Sequence, residues 1–246
     1  MNADIVDLRD FYASPLGMVA AKTISLGLAP VWRNIPEERL VGIGYTLPYL
    51  DRFAPSCERA LAFMPAAQGA VNWPVTGASL TALVADEELP LGDASVDRVL
   101  MVHALEFAEN PQAVLTEVWR VLAPGGRLII VVPNRRGVWA RFEHTPFGSG
   151  RPWSRGQLVR LLRDSMFTPS AWADALLLPP FRRRSLLKLA MPLERLGRQL
   201  WPVFSGVVII EATKQVYRGI PVLSARRERQ RRAKPVLVPA GATARR

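Results

Sequence analysis

The stretch from Val96 to Pro133 limits this chain most, because an apolar strand, a capped helix and a second apolar strand follow one another there. VDRVLMVH (96–103) is nearly continuous in apolar residues, as strands covered on both faces are. Asn110-Pro111 supplies a helix cap and then a proline in the first helical position, where its missing N–H costs nothing. Val114, Leu115, Val118, Val121 and Leu122 keep helical spacing, and Pro124-Gly125-Gly126 stops the helix before RLIIVVP (127–133). The result is a βαβ unit, which places the chain among α/β domains.

The same alternation extends in both directions. A helical stretch covers Leu16 to Leu28, and Arg39 to Gly44 reads as a buried strand followed by a turn and a short helix from Pro48. Glu58 to Met64 and Ser79 to Ala85 repeat the strand signal. Ser154 and Gln157 fit a capping box, with Leu158, Leu161 and Leu162 on the core side of the helix they open. Trp172 to Leu178 and Val207 to Ala212 supply the closing strands. The expected fold is Rossmann-like and doubly wound, with a mainly parallel seven-stranded sheet and helices on both faces. Ligands in such sheets bind at the carboxyl ends of the strands, here after Gly44, Met64, Ala85 and His103.

Asp86 to Pro133, DEELPLGDASVDRVLMVHALEFAENPQAVLTEVWRVLAPGGRLIIVVP, resembles the central part of class I S-adenosylmethionine-dependent methyltransferases of the small-molecule, type 11-like kind. The shared features are an acidic residue before Leu-Pro, an Asp-Ala-Ser-x-Asp lead into the strand, a His/Glu cluster after it, and a helix ending in Leu-x-Pro-Gly-Gly. Less specific similarity runs from about Arg39 to Lys214. The resemblance implies S-adenosylmethionine as cofactor, held around Gly42, Gly44, Tyr45, Thr46, Met64, Asp86, Glu87 and His103.

The cofactor motif is degenerate. Family members carry three glycines preceded by an acidic residue, whereas LVGIGYTLPYL (40–50) keeps Gly44 as the first glycine and sets Thr46 and Pro48 at the others. Gly42 stands where the carboxylate belongs. The second strand in the family ends in a carboxylate that holds both ribose hydroxyls, and ALAFMPA (60–66) offers none, the place falling at Met64. A charge-assisted bond contributes about 1.5–3 kcal/mol, so its loss lowers cofactor affinity about tenfold or more unless other groups compensate. Asp86 keeps the position that approaches the adenine amino group. Two readings follow: a divergent enzyme that moves a methyl group to a small-molecule or lipid-like acceptor, and a catalytically impaired methyltransferase-fold module kept for binding or assembly.

Methyl transfer from a sulfonium asks mainly for placement and a dry pocket, so no catalytic residue is assigned. If a base is needed, His103 is the candidate; its plainer role is a strand-end residue satisfied by the backbone. EHTPFGSGRPWSRGQL (143–158) would hang over the pocket and offers His144, Arg151, Trp153 and Arg155 as substrate contacts, guanidinium for an anionic acceptor and indole for a flat one. The simpler alternative is a surface loop leading to the Ser154 cap.

The net charge of +11 is concentrated. Residues 224–246 carry eight Lys/Arg against Glu228 and 182–198 carry six against Glu194, leaving the remainder at −1. A methyltransferase-like domain is therefore expected over 1–223, with its core at 39–214, and a basic disordered tail at 224–246. RRERQRR lacks a base-reading framework, so no specific nucleic-acid partner is expected. In Arg182 to Trp201, Leu186, Leu189, Leu193, Leu196 and Leu200 share one side and Pro192 is expected to kink the helix. Packing of those leucines on the core is the expectation, and weak membrane-surface contact through 182–201 the alternative. Cys57 is the single cysteine, which leaves no disulfide and no cysteine metal cluster, and no metal is expected. No apolar run approaches the roughly 20 residues that span a bilayer. MNADIVDLRD is unlike a secretory leader, so a cytoplasmic location is expected.

Overall fold

The structure, a computed structural model, describes residues 4–32, 36–181 and 183–216. Seven strands form one sheet: β1 (Arg39–Gly44), β2 (Arg59–Pro65), β3 (Thr81–Val84), β4 (Val96–Val102), β5 (Leu122–Pro133), β6 (Phe167–Ala175) and β7 (Val207–Lys214). Their order is β3-β2-β1-β4-β5-β7-β6. Strands β1 to β5 pair in parallel, and β7 runs antiparallel to both β5 and β6. This is a Rossmann-like, doubly wound sheet with a switch point between β1 and β4.

Eight helices accompany the strands among the described residues: α1 (Ile5–Ala13), α2 (Pro15–Leu28), α3 (Leu47–Phe53), α4 (Pro111–Val121), α5 (Pro146–Ser149), α6 (Arg155–Asp164), α7 (Arg184–Leu187) and α8 (Ala190–Leu200). Two buried apolar layers sandwich the sheet. One contains Leu8, Ile24, Leu28, Tyr49 and Phe53 from α1, α2 and α3, and the other Val114, Leu115, Val118, Leu158 and Leu162 from α4 and α6. The helix starts follow their capping chemistry. Asn110 accepts from Ala113 N at 3.2 Å, and Ser154 and Gln157 form the full capping box. At Gly125 the chain turns with φ of +75°, where glycine lacks the Cβ that disfavours the left-handed region.

Three features depart from expectation. Helix α1 was not anticipated, although Asp4 caps it and Ile5, Leu8 and Tyr12 fall at core spacing. The segment expected as one kinked helix is two, α7 and α8, and the break precedes Pro192, which sits in the first turn of α8 where proline is tolerated. The expected packing of its leucines is also corrected. Helix α8 buries Ala190, Glu194 and Gly197 and packs Leu193 half-buried against the core as expected, whereas Leu196 and Leu200, with Leu186 and Leu189 before the helix, are exposed. Small residues allow closer backbone approach than leucine, and Glu194 accepts backbone hydrogen bonds from Leu177 and Leu178. Arg182 and the expected tail, 224–246, lie outside the described residues.

Candidate functional site: the carboxyl edge of strands β1, β2 and β4

Strand β1 ends at Gly44, opposite Val102 of β4. Gly44 has φ of +84°, and a Cβ there would collide with the Val102 carbonyl, so glycine lets the two strand ends come as close as they do. Gly42 serves a different purpose. A Cβ on it would collide with the Thr46 hydroxyl, so the missing side chain makes room for Thr46 to fold back over β1. That hydroxyl is buried without a hydrogen-bond partner among the described residues.

His103, the first residue after β4, is buried and takes a left-handed backbone with φ of +52°. Three contacts hold it there. Its carbonyl accepts from Gln68 Nε2 at 2.8 Å, its Nε2 meets the Tyr12 hydroxyl at 2.9 Å, and its Nδ1 meets Glu106 Oε1 at 3.1 Å. Tyr12 also meets the Tyr49 hydroxyl at 3.1 Å and stacks on Tyr45 with ring centroids 5.2 Å apart. Burial is the largest influence raising the Tyr12 phenol well above its ordinary value, and burial likewise raises Tyr49 and Tyr45. The phenols therefore stay protonated at neutral pH. One consistent direction of donation runs from Tyr49 to Tyr12, from Tyr12 to a neutral His103, and from His103 Nδ1–H to Glu106. Glu106 Oε2 has no partner among the described residues.

Helix α1 thus straps across the switch point. Its first residue, Ile5, donates from its backbone to Gln68 O at 2.8 Å, and its last turn delivers Tyr12. Tyr45, Thr46 and Met64 are buried, and Met64 Sδ receives Val71 N–H at 3.4 Å. Sequence reasoning missed Tyr12, Gln68 and Tyr49. The apolar spacing behind Asp4 could have revealed α1, but no local pattern points Tyr12 at His103.

Beside this filled crevice an open cleft of about 310 Å³ lies over the ends of β2 and β3, lined by Pro65, Gln68, Asp86, Glu87, Ala104 and Phe107 among others. Asp86 is half-buried and Glu87 exposed. Gln68 Oε1 is buried and unpartnered among the described residues. The cleft gathers Asp86 and Glu87, while Gly42, Gly44, Tyr45, Thr46, Met64 and His103 do not line it.

The four expected substrate contacts are placed elsewhere. His144 is exposed, with its ring 5.4 Å from that of Phe142. Trp153 is packed in the core layer with α4 and α6, under Arg151 at 5.4 Å. Arg155 pairs with Asp174 at 2.5 Å and lines a second hollow of about 410 Å³ with Asn134, Arg136 and Ser154. Among the described residues, no group of three or more His, Cys, Asp or Glu side chains could hold a metal ion.

A strand order with the switch point between β1 and β4, and a cleft over the strand ends, places the chain in the doubly wound class of α/β proteins, whose ligands bind at that edge. Residues 41–130 match the family model described as a methyltransferase domain. Malonyl-[acyl-carrier protein] O-methyltransferase of Alcanivorax borkumensis is 40% identical over 72 residues, 27% of this chain and 24% of that one. An uncharacterised protein of Mycobacterium tuberculosis is 28% identical over 178 residues, 69% of this chain and 60% of that one. The matches therefore span less than two thirds of either relative. Among solved structures, an S-adenosylmethionine-dependent methyltransferase of Thermotoga maritima superposes with a TM-score of 0.56 at 20% identity, covering 84% of this chain and 94% of the other. One of Mesorhizobium loti gives 0.56 at 15% identity, covering 79% and 98%. Residues 41–130 therefore resemble a methyltransferase domain, and the sheet shares its fold with S-adenosylmethionine-dependent methyltransferases, proteins whose cofactor is S-adenosylmethionine.

The residues fit the two ends of that cofactor unequally. The cleft has room beside Pro65, Ala104 and Phe107 for an adenosine, with the Asp86 carboxylate on its wall as an acceptor and the buried, unpartnered Gln68 Oε1 behind it. The methionine end does not fit while α1 is in place, because Tyr12, Tyr45 and His103 fill the crevice between β1 and β4.

Proposed function

We propose that this protein transfers a methyl group from S-adenosylmethionine to a small-molecule or lipid-like acceptor, and that α1 must shift before the cofactor is fully seated. The observation that carries this reading is the cleft holding Asp86 and the unpartnered Gln68 oxygen. In it Asp86 would accept from the adenine amino group. Gln68, three residues beyond β2, would replace the missing ribose carboxylate with a neutral acceptor, a weaker anchor than a charged one. The cofactor supplies an already activated methyl carbon, and the chain's own task is to orient the acceptor and exclude water. Tyr45, Tyr49 and Phe147, all buried, would form the dry wall of that compartment. His103, oriented by Glu106, would be able to take a proton from an acceptor once the shift of α1 withdraws Tyr12 from its Nε2.

The filled crevice favours a second reading, a methyltransferase fold retained as a binding or assembly module. Calorimetric titration with S-adenosylmethionine and S-adenosylhomocysteine separates the two. Binding that Asp86→Ala weakens about tenfold or more supports the enzyme. No heat at millimolar ligand, in both the wild type and a Tyr12→Phe variant that loosens the strap, leaves the module.

A further inference from the structure

Helix α8 turns Leu196 and Leu200 outward, while Leu193 beside them is half-buried against the core. Its inner side is Ala190, Glu194 and Gly197, where Glu194 accepts from Leu177 N at 2.7 Å and a Cβ on Gly197 would press on Leu177. Leu189, Leu196 and Leu200 fall within about 40° of one another at 3.6 residues per turn. They are 52%, 46% and 61% exposed. The chain that follows adds Trp201, Val203 and Phe204, also exposed. Amphipathic helices of globular proteins ordinarily turn such a ridge to the core, so this orientation leaves a large apolar surface in water.

The same surface carries charge of one sign. Arg183, Lys188, Arg195 and Arg198 are exposed around the ridge, and the single acidic residue of 181–206, Glu194, is buried. On neighbouring α2, Met18 and Val19 line a shallow apolar groove of about 500 Å³ with Leu187, Lys22 and Lys188. A second copy docking by two-fold symmetry would oppose these cations to themselves. A nucleic acid would leave the leucines unused.

We propose that this face docks on an anionic lipid bilayer, with Leu196, Leu200, Trp201 and Phe204 at the acyl boundary and the arginines and lysines among the phosphates. The proposal is independent of the cofactor cleft. The test is flotation of the full chain with vesicles of phosphatidylcholine alone and of an equimolar mixture with phosphatidylglycerol. Binding to the mixed vesicles is expected to fall about tenfold or more in a Leu196→Asp/Leu200→Asp variant, with the melting temperature unchanged because both side chains are exposed. Undiminished binding by that variant overturns the proposal and assigns adhesion to the charges of 217–246. Absence of binding by the wild type overturns it as well. So does a wild-type dimer that the same variant converts to monomer in light scattering, which would give the face to a second copy.

Discussion

The Tyr12 phenol is held by partners from separate stretches of chain: Tyr45 and Tyr49 beyond β1, and His103 beyond β4. Tyr12→Phe keeps the ring packing but removes the donor to His103 Nε2 and the acceptor for Tyr49. Two buried polar groups then lose a partner, so unfolding free energy is expected to fall by about 1–3 kcal/mol, measured by urea denaturation. The readable and unreadable parts of the site divide along this line. Gly44 and Asp86 were legible because a glycine at a strand end and an acidic residue before Leu-Pro are local patterns. The meeting of Tyr12 and His103, 91 residues apart, is not local. Gln68 is distinguished only by a free oxygen at a cleft wall, which sequence does not record.

Helix α8 shows the same limit at the scale of an element. The leucine spacing signalled an amphipathic helix correctly, but which side faced inward depended on the space beside Leu177, which admits glycine and alanine more readily than leucine. Its buried Glu194 yields a pH prediction. Burial is the largest influence raising the Glu194 carboxyl above its ordinary value, opposed by backbone hydrogen bonds from Leu177 and Leu178. The folded chain therefore holds this proton more tightly than the unfolded chain. Stability is lost as pH rises from the unfolded value of 4.5 through the raised one. Glu194→Gln keeps an oxygen for the Leu177 N–H and removes the charge. Its urea midpoint at pH 7 should exceed that of the wild type, and the two should converge below about pH 4. A midpoint difference that does not change with pH would contradict this sign.

Across the whole molecule, the described residues all fall in the first of its two units, 1–216. Both core layers and all seven strands lie within the first, and the last strand ends at Lys214, whose ammonium donates to the Leu122 carbonyl and faces the Trp119 ring at 4.0 Å. A chain ending at Val216 should keep one cooperative unfolding transition, within about 0.5 kcal/mol of the full-length stability in calorimetry or urea titration. The sequence by itself determined the doubly wound sheet and the βαβ unit of β4, α4 and β5. Those follow from hydrophobic period, caps and glycine stops, interactions among residues a few positions apart. Only the tertiary structure decided that α1 closes the switch point through Tyr12 and that α8 turns Leu196 and Leu200 to solvent. Both outcomes depend on which surfaces compete for the same buried volume, and that competition is settled between segments distant in sequence.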